Sequence, residues 1–276
     1  MSTMGYSRQQ YYKAQKHTHT QQQQQATVKT LVMSQRKLLP RIGTRKIHYL
    51  IKDRLAANEI KMGRDKLFDY LRHCGLLIKP KRRYIQTTNS KHWLRKYPNL
   101  IKEMKPTAAE QLWVSDITYL KTEQGNCYLN MITDAYSRKI MGYAVDYNME
   151  AQSMVAALQM ALQQRANPKS KLIHHTDRGL QYCSQDYVQL ETKNSIAISM
   201  TENGDPYENA LAERMNRTIK EEFCLDQPLK DITQLRQAIK EAVHLYNHHR
   251  PHLSLQMNTP EQQHKKSLTT EAVRDF

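Results

Sequence analysis

Three acidic residues in the second half of the sequence have the types and spacing that divalent-metal phosphoryl transfer requires. Asp116 interrupts one apolar run, Asp177 closes another, and Glu213 follows Asp177 after 35 intervening residues. Carboxylate oxygens are the ligands that Mg²⁺ prefers in proteins. Two such ions about 3.5–4 Å apart can activate an attacking oxygen and stabilise the leaving oxygen of a phosphodiester. A fold that gathers these three side chains would provide a site for this chemistry.

The residues around Glu213 have the pattern of a helix, which we predict over residues 203–223. Asp205 suits the N-cap, Pro206 suits the first helical position, and Glu208 completes a capping box. Opposite an apolar stripe of this helix lie four polar residues: Asn209, Glu213, Arg217 and Lys220. On an isolated helix this face would be a solvated surface. The presence of Asp116 and Asp177 earlier in the sequence favours a functional role for this face instead.

A burial argument applies to the acid inside the first apolar run. Burying an ionised carboxylate is costly unless it has a charged partner, so Asp116 requires either an Arg or Lys or a metal ion. Asp134 is a fourth candidate acid, but it lies in a turn. Turn aspartates more often accept hydrogen bonds from their own backbone, and we predict that role for Asp134.

The elements that must position the acids alternate in a definite order. The patterns predict three strands, a helix, a strand, a helix, a strand and two helices, with the last helix capped at Asp231. The strands are predicted at residues 111–120, 126–133, 139–145, 171–175 and 196–200. A hairpin meander that continues into β-α-β units is typical of the ribonuclease H-like fold. We therefore predict an α/β core with a mixed five-stranded sheet flanked by helices.

Positive charge is concentrated in the first third of the chain. Residues 1–105 contain 24 Lys and Arg against 5 Asp and Glu, whereas the remainder contains 18 against 21. This asymmetry favours a polyanionic partner, and nucleic acid fits it best. The predicted domains are a polar, flexible or weakly helical lead with a Gln run (1–35), a basic helical domain (36–84), a basic linker (85–106), a core with a C-terminal helix (107–262) and a tail (263–276).

The basic domain has the pattern of two short helices, one from Gly43 and Thr44 and one from about Gly63 to Cys74. Such a pair is typical of a small all-α helix-turn-helix domain, and an ordinary helical bundle with a polar face is the alternative. The basic residues expected to contact DNA are Arg45, Lys46, Arg64, Lys66, Arg82 and Arg83.

Other features exclude several classes of protein. No run of 18 apolar residues is present, so we expect no membrane span, and the N-terminus lacks the apolar centre of a signal peptide. The four cysteines are scattered without a CxxC pair, which favours a reducing, cytoplasmic environment and argues against a cysteine zinc site. No P-loop or GxGxxG motif indicates a nucleotide cofactor.

Five motifs carry a family resemblance over nearly the whole chain. They are WVSDITY (113–119), DAYSR (134–138), HTDRGLQY (175–182), NGDPYENALAERMNRTIKEE (203–222) and YNHHRPHLSL (246–255). The chain resembles the second-frame product (OrfB) of insertion-sequence transposases of the IS-three (IS3) family, which share their catalytic core with retroviral integrases. Thr176 stands where this family usually has Ser, and Cys183 where a small hydroxyl residue is common.

The resemblance implies a Mg²⁺-dependent DNA transposase that cleaves the ends of an insertion sequence and joins them to a target. Asp116, Asp177 and Glu213 would hold two Mg²⁺ ions, with Mn²⁺ as a substitute. The implied DNA contacts are Lys220, Arg217, Asn209 and Arg178, although Lys220 is alternatively an exposed helix lysine. Arg250 and His252 would tether the C-terminal segment.

The implied partners are double-stranded DNA, a first-frame protein or frameshift fusion, and further copies of the chain in a synaptic complex. A bacterial, nucleoid-associated location follows from the same resemblance. Two other functions stay open. One is a catalytically silent DNA-binding protein derived from a transposase. The other is a nuclease acting on RNA–DNA hybrids.

Overall fold

The computed structural model describes residues 8–78, 96–102, 104–202 and 209–274, with side chains described up to residue 270. The chain divides into two compact units, Met1–Pro80 and Lys81–Phe276. No helix within the described ranges is long and apolar enough to cross a membrane.

The first unit consists of helices in its described part: α1 (Arg8–Leu38), α2 (Thr44–Ala57) and α3 (Arg64–His73). Its core is formed by apolar side chains at helical spacing, Val28, Val32, Ile47, Ile51, Leu67 and Leu71. Gly75 ends α3 in the left-handed conformation that glycine adopts at no steric cost, with φ +66°.

The prediction of a flexible or weakly helical lead was wrong. Helix α1 runs for 31 residues, because no Gly or Pro interrupts residues 8–39 and Gln, Ala, Lys and Arg are good helix formers. Only its C-terminal part, with Val28 and Val32, is anchored in the core of the first unit. The polar composition of this segment indicated a flexible lead. The segment is helical because its helix propensity is uninterrupted and its C-terminal part is anchored in the core.

The second unit contains the predicted five-stranded mixed sheet, with the strand order β3-β2-β1-β4-β5. Strands β1, β2 and β3 pair antiparallel, whereas β4 pairs parallel with both β1 and β5. The strand bounds are Leu112–Thr122, Gly125–Asp134, Ile140–Asp146, Leu172–Thr176 and Ile196–Met200 for β1 to β5. This architecture confirms the predicted fold class.

Helices cover both faces of the sheet. They are α4 (Ala151–Gln163), α5 (Gln185–Lys193), α6 (Ala210–Glu222), α7 (Ile232–His249) and α8 (Pro260–Arg274). Helices α4 and α5 pack on one face around Trp113, and α6 and α7 pack on the other around Leu129. Gly142 allows the close approach of α4, because a Cβ there would lie 2.0 Å from the backbone oxygen of Ala157.

The helix boundaries test two of the predicted caps. The Asp231 carboxylate accepts a hydrogen bond from the Gln234 backbone N–H at 2.8 Å, which confirms the cap of α7. Helix α6 is described from Ala210 onward. The predicted capping box at Asp205 and Glu208 lies outside the described residues.

The predicted tail is part of a helix that packs on the core. The predicted boundary at residue 262 falls inside α8. Its His264 is buried, and the Nδ1 atom lies 2.9 Å from the Ser137 hydroxyl. Three residues further along α8, the Ser267 hydroxyl accepts a hydrogen bond from the Ala109 backbone N–H at 2.8 Å. Buried polar contacts of this kind were not visible in the sequence pattern, which is why the tail prediction failed.

Candidate active site

Two of the acids come together through the register of two parallel strands. Leu112 pairs with Ile173, and Val114 pairs with His175. The same register continued by two residues sets Asp116 beside Asp177, which directly follows the end of β4. Neighbouring strands lie about 4.8 Å apart. The Asp177 carboxylate also accepts a hydrogen bond from the Gly179 backbone N–H at 3.0 Å, which fixes its loop.

Helix α6 lies along β1 and is attached to it by three polar contacts. The Asn209 side-chain amide donates to the Ser115 carbonyl at 2.8 Å, and the Asn216 amide donates to the Asp116 carboxylate at 2.9 Å. The Lys220 ammonium donates to a β1 carbonyl at 2.6 Å. Glu213 lies on α6 between the first two of these contacts. The helix therefore presents its acid to the same end of the sheet as the two aspartates.

The electrostatics of Asp116 indicate how closely the three acids interact. Burial, the charge of Asp177 and the charge of Glu213 together raise the pKa of Asp116 from 3.8 to about 7, against hydrogen bonds from Asn216 and the Ile117 backbone. Burial and the Asp177 charge also raise the pKa of Glu213, although its side chain is exposed. The three carboxylates destabilise one another's ionised forms.

Within the described part of the chain, no three His, Cys, Asp or Glu side chains are close enough to hold a metal ion together. The donor set itself fits a hard cation, because all three candidate ligands offer carboxylate oxygens. They come from a strand, from the end of a neighbouring strand and from a helix.

The sequence analysis missed Asn216, which contacts an acid directly. Asn216 is buried, and its side-chain oxygen has no hydrogen-bond partner among the described residues. It lies three residues after Glu213 and four before Lys220, a spacing that places all three on one helix face. This periodicity is visible in the sequence, but it does not indicate that Asn216 is buried against β1.

The predicted DNA contacts in the second unit have different environments. The Lys220 ammonium lies 4.5 Å from the centre of the Tyr119 ring, and burial lowers the pKa of Lys220. Arg217 is exposed and forms an ion pair with Glu221 at 3.2 Å. Asn209 is buried, contrary to the expectation of a polar surface position, because its amide is directed at β1. Arg178 is partly buried.

The predicted contacts in the first unit are only partly exposed. Arg45 and Lys66 are exposed, and Arg64 is exposed but bonded to Asp65 at 2.8 Å. Lys46 is only 9 % exposed, so the expectation of an exposed side chain was wrong. It lies in the first turn of α2, beside the buried Ile47, where the helix enters the core. Arg82 and Arg83 lie outside the described residues.

The structure confirms the predicted turn role of Asp134. Its carboxylate is fully buried and accepts hydrogen bonds from the Ser137 backbone N–H and hydroxyl, both at 2.7 Å, and from the Glu110 backbone N–H at 2.7 Å. The expected tether at Arg250 is likewise confirmed. Its guanidinium donates two hydrogen bonds of 2.7 Å to Glu222 at the end of α6.

A buried polar chain lies directly behind Asp116 and was not predicted. The Ser115 hydroxyl lies 2.5 Å from His174 Nε2, and His174 Nδ1 lies 2.5 Å from the Glu191 carboxylate. All three side chains are at most 1 % exposed, so no substrate reaches them. These hydrogen bonds connect β1, β4 and α5, and they thereby fix the strand that carries Asp116.

Comparisons with known proteins agree with this geometry. A family model described as Integrase core domain matches residues 106–206, and a second model with the same description matches residues 194–260. The chain is 37 % identical over 215 residues to an Insertion element IS600 uncharacterized 31 kDa protein of Shigella sonnei, covering 77 % of each chain. It is 33 % identical over 200 residues to the transposase InsF for insertion sequence IS3A of Escherichia coli, covering 72 % of this chain and 69 % of the relative.

The chain belongs to the IS3 family of insertion-sequence transposases. A solved structure supports the fold of this family member. The simian T-cell lymphotropic virus intasome, in complex with a PP2A regulatory subunit, matches with a TM-score of 0.50 and 18 % identity. The match covers 80 % of this chain and 74 % of the other. At this identity the likeness shows a common fold, with the ribonuclease H-like core of retroviral integrases.

Membership of this family assigns the transposase and integrase class of function, in which phosphodiester bonds of DNA are cut and joined. Asp116 and Asp177 lie within the first matched region, and Glu213 lies within the second.

Proposed function

We propose that this chain catalyses metal-dependent cleavage and strand transfer at the ends of an insertion sequence, with Asp116, Asp177 and Glu213 as its catalytic acids. The observation that carries the proposal is the strand register that sets Asp116 beside Asp177, with Glu213 on the helix whose Asn216 donates to the Asp116 carboxylate at 2.9 Å. Burial and the charges of the two other acids raise the pKa of Asp116 to about 7, so ionisation of these carboxylates opposes folding. Such perturbed groups concentrate at functional sites.

The acids would hold two divalent cations, Mg²⁺ or Mn²⁺. When bound, these cations would supply Lewis-acid activation of the attacking oxygen and stabilisation of the leaving oxygen. Asp177 and Glu213 would hold these cations together with Asp116, which lies on the central strand β1. Asn216 would orient its carboxylate through the 2.9 Å hydrogen bond.

The chemistry would proceed in two steps that use the same acids. Water first attacks the phosphodiester at the end of the element and releases a 3′-hydroxyl. That hydroxyl then attacks a phosphodiester of the target DNA, and the target strand is joined as its own 3′-oxygen leaves. No covalent bond between protein and DNA is needed in either step. The protein contributes position and charge rather than a nucleophile.

DNA would contact both units of the chain. Lys220 and Arg178 flank the acids, and Arg45 and Lys66 are the exposed cations of the predicted helix-turn-helix. No carboxylate precedes Asp53, so the first unit attracts a polyanion over its entire first half. Because the InsF relative is a transposase and the viral neighbour an intasome, we propose that two DNA ends are held by several copies of this chain. A first-frame protein or frameshift fusion is a further proposed partner.

The test is a cleavage and joining assay on labelled duplexes that carry the inverted repeats flanking the gene. We expect nicking and strand transfer with Mg²⁺, their loss on chelation, and a loss of at least about 10³-fold in Asp116→Asn. The exposed Lys193 at the end of α5 provides a control, since Lys193→Gln should leave the rate unchanged. Cleavage by Asp116→Asn at the wild-type rate would overturn the assignment. Specific binding without nicking by the wild-type chain would favour a silent DNA-binding protein instead.

A further inference from the structure

A cavity at the start of α6 lies beside the candidate acids and has no role in the chemistry described above. Its volume is about 360 Å³, within the usual size range of small-ligand sites. The floor and walls are mostly apolar and include Ile101, Pro106, Leu112, Val114, Ala135 and Leu211. Four polar residues complete the lining: Lys105, Tyr136, Arg138 and Asn209.

The cavity lies close to the candidate acids along both β1 and α6. Val114 precedes Asp116 by two residues on β1, a distance of about 6.6 Å on the same strand face. Asn209 precedes Glu213 by four residues on α6, a rise of about 6 Å. A molecule in the cavity would therefore lie next to the position of the reacting phosphodiester rather than on it.

The polar groups of the cavity are available for a ligand. Asn209 is only 6 % exposed, and its side-chain oxygen has no hydrogen-bond partner among the described residues. Leaving such a buried acceptor unpaired is costly. The Arg138 guanidinium also lines the cavity, and burial lowers the pKa of Arg138. Lys105 is exposed at the rim.

This combination of surfaces selects one kind of ligand. Apolar walls suit the faces of a flat ring, a buried amide oxygen suits an amino or imino donor, and two cations suit a phosphate. A paired duplex would present only its phosphates and could not enter. A free phosphate would leave the apolar walls and the Asn209 oxygen without partners. A nucleotide has all three complementary features.

Resting on the proposed function, we propose that this cavity receives an unpaired nucleotide of the bound DNA, the neighbour of the phosphodiester that is cut. Its base would lie against Val114 and Leu211 and donate to the Asn209 oxygen. Its phosphate would be bound by Arg138 and Lys105. Unpairing a base costs a few kcal/mol, and the cost is smallest at a strand end. The cavity would thus favour cleavage at an end over cleavage inside a duplex.

Fluorescence of 2-aminopurine tests this directly, because its emission rises when the base leaves the stack. The probe is the full chain with Asp116→Asn, bound to end duplexes that carry 2-aminopurine at each terminal position in turn. We expect enhanced emission at one or two positions next to the cleavage point. Adding Arg138→Gln and Lys105→Gln should return the emission to that of the free duplex. The slope of log Kd against log salt concentration should fall by about 0.7–0.9, as for one lost phosphate contact.

Two further variants keep the test decisive. Leu211→Trp fills the cavity without changing charge, and it should abolish the enhancement while leaving the salt slope unaltered. Lys193→Gln removes one positive charge on the other face of the sheet, and it should change neither quantity. Specific binding with no enhancement at any terminal position would overturn the proposal, as would full enhancement in the Arg138→Gln, Lys105→Gln variant. Failure of the proposed function itself would show separately, as a wild-type chain that binds the ends but never nicks them.

Discussion

Replacing Asp116 by asparagine should stabilise the metal-free protein at neutral and alkaline pH while it abolishes cleavage. Folding raises the pKa of Asp116 from 3.8 to about 7. The folded chain therefore binds this proton more tightly than the unfolded chain. The contribution of Asp116 to stability is fully present below about pH 4 and is lost as the pH rises to about 7. Asp116→Asn removes a group whose ionisation opposes folding.

The expected magnitude follows from the shift and from the hydrogen bonds. A shift of about 3 units corresponds to about 4 kcal/mol above pH 7. Two N–H donors, from Asn216 and from the Ile117 backbone, address the two carboxylate oxygens, and an asparagine offers only one acceptor atom. The loss of one hydrogen bond reduces this gain in stability by about 1–2 kcal/mol. The net gain should be about 2–3 kcal/mol, or about 4–12 °C in Tm for a domain of this size.

The assay is thermal unfolding of both proteins between pH 4 and pH 8.5 in the presence of a chelator. The two Tm curves should coincide near pH 4, or show the variant slightly lower, and separate progressively up to pH 8. Titrating Mg²⁺ at pH 8 should then raise the wild-type Tm and leave the Asp116→Asn value nearly constant, since only a bound ion stabilises by mass action. A variant that is less stable than the wild type at pH 8 would refute the electrostatic reasoning.

Substitutions at three other positions test the packing and the orientation of the site. Gly142→Ala should destabilise by about 3 kcal/mol or more in urea unfolding, because the new Cβ would lie 2.0 Å from the Ala157 backbone oxygen. Arg250→Gln should cost about 2–4 kcal/mol, since the bidentate pair with Glu222 is lost, and Arg250→Lys should recover only part of this. Asn216→Ala should lower the cleavage rate about 10-fold or more and shift the pH profile of cleavage to higher pH. The reason is that the substitution removes the hydrogen bond that favours the ionised form of Asp116. An unchanged pH profile would contradict this role.

The sheet could be predicted from the sequence because its strands are clear apolar runs that are bounded by turn residues. Strand β5 was predicted with its observed bounds, and the hairpin between β2 and β3 followed from the turn at Asp134. The order of strands and helices then indicated which acids would meet. The register that brings Asp116 beside Asp177 was not predictable in detail, since parallel pairing depends on packing across the sheet rather than on local sequence.

The features that escaped prediction depend on long-range polar contacts. Asn216, the chain from Ser115 through His174 to Glu191, and the burial of His264 each join residues far apart in the sequence. A polar residue on a helix is normally solvated, so a local pattern gives no reason to bury it. The exposure of Lys46 was wrongly predicted for the same reason, since this lysine lies in the first turn of α2 beside the buried Ile47.

The attachment of α8 makes the integrity of the core depend on residues that follow the region matched by the integrase-core models. His264 lies between two buried carboxylates, 3.4 Å from Glu110 and 3.9 Å from Asp134. A chain that stops before this histidine leaves both acids enclosed without their partner, beneath the turn that carries Arg138. Truncation before residue 264 should therefore yield aggregated or degraded protein rather than a partly active enzyme.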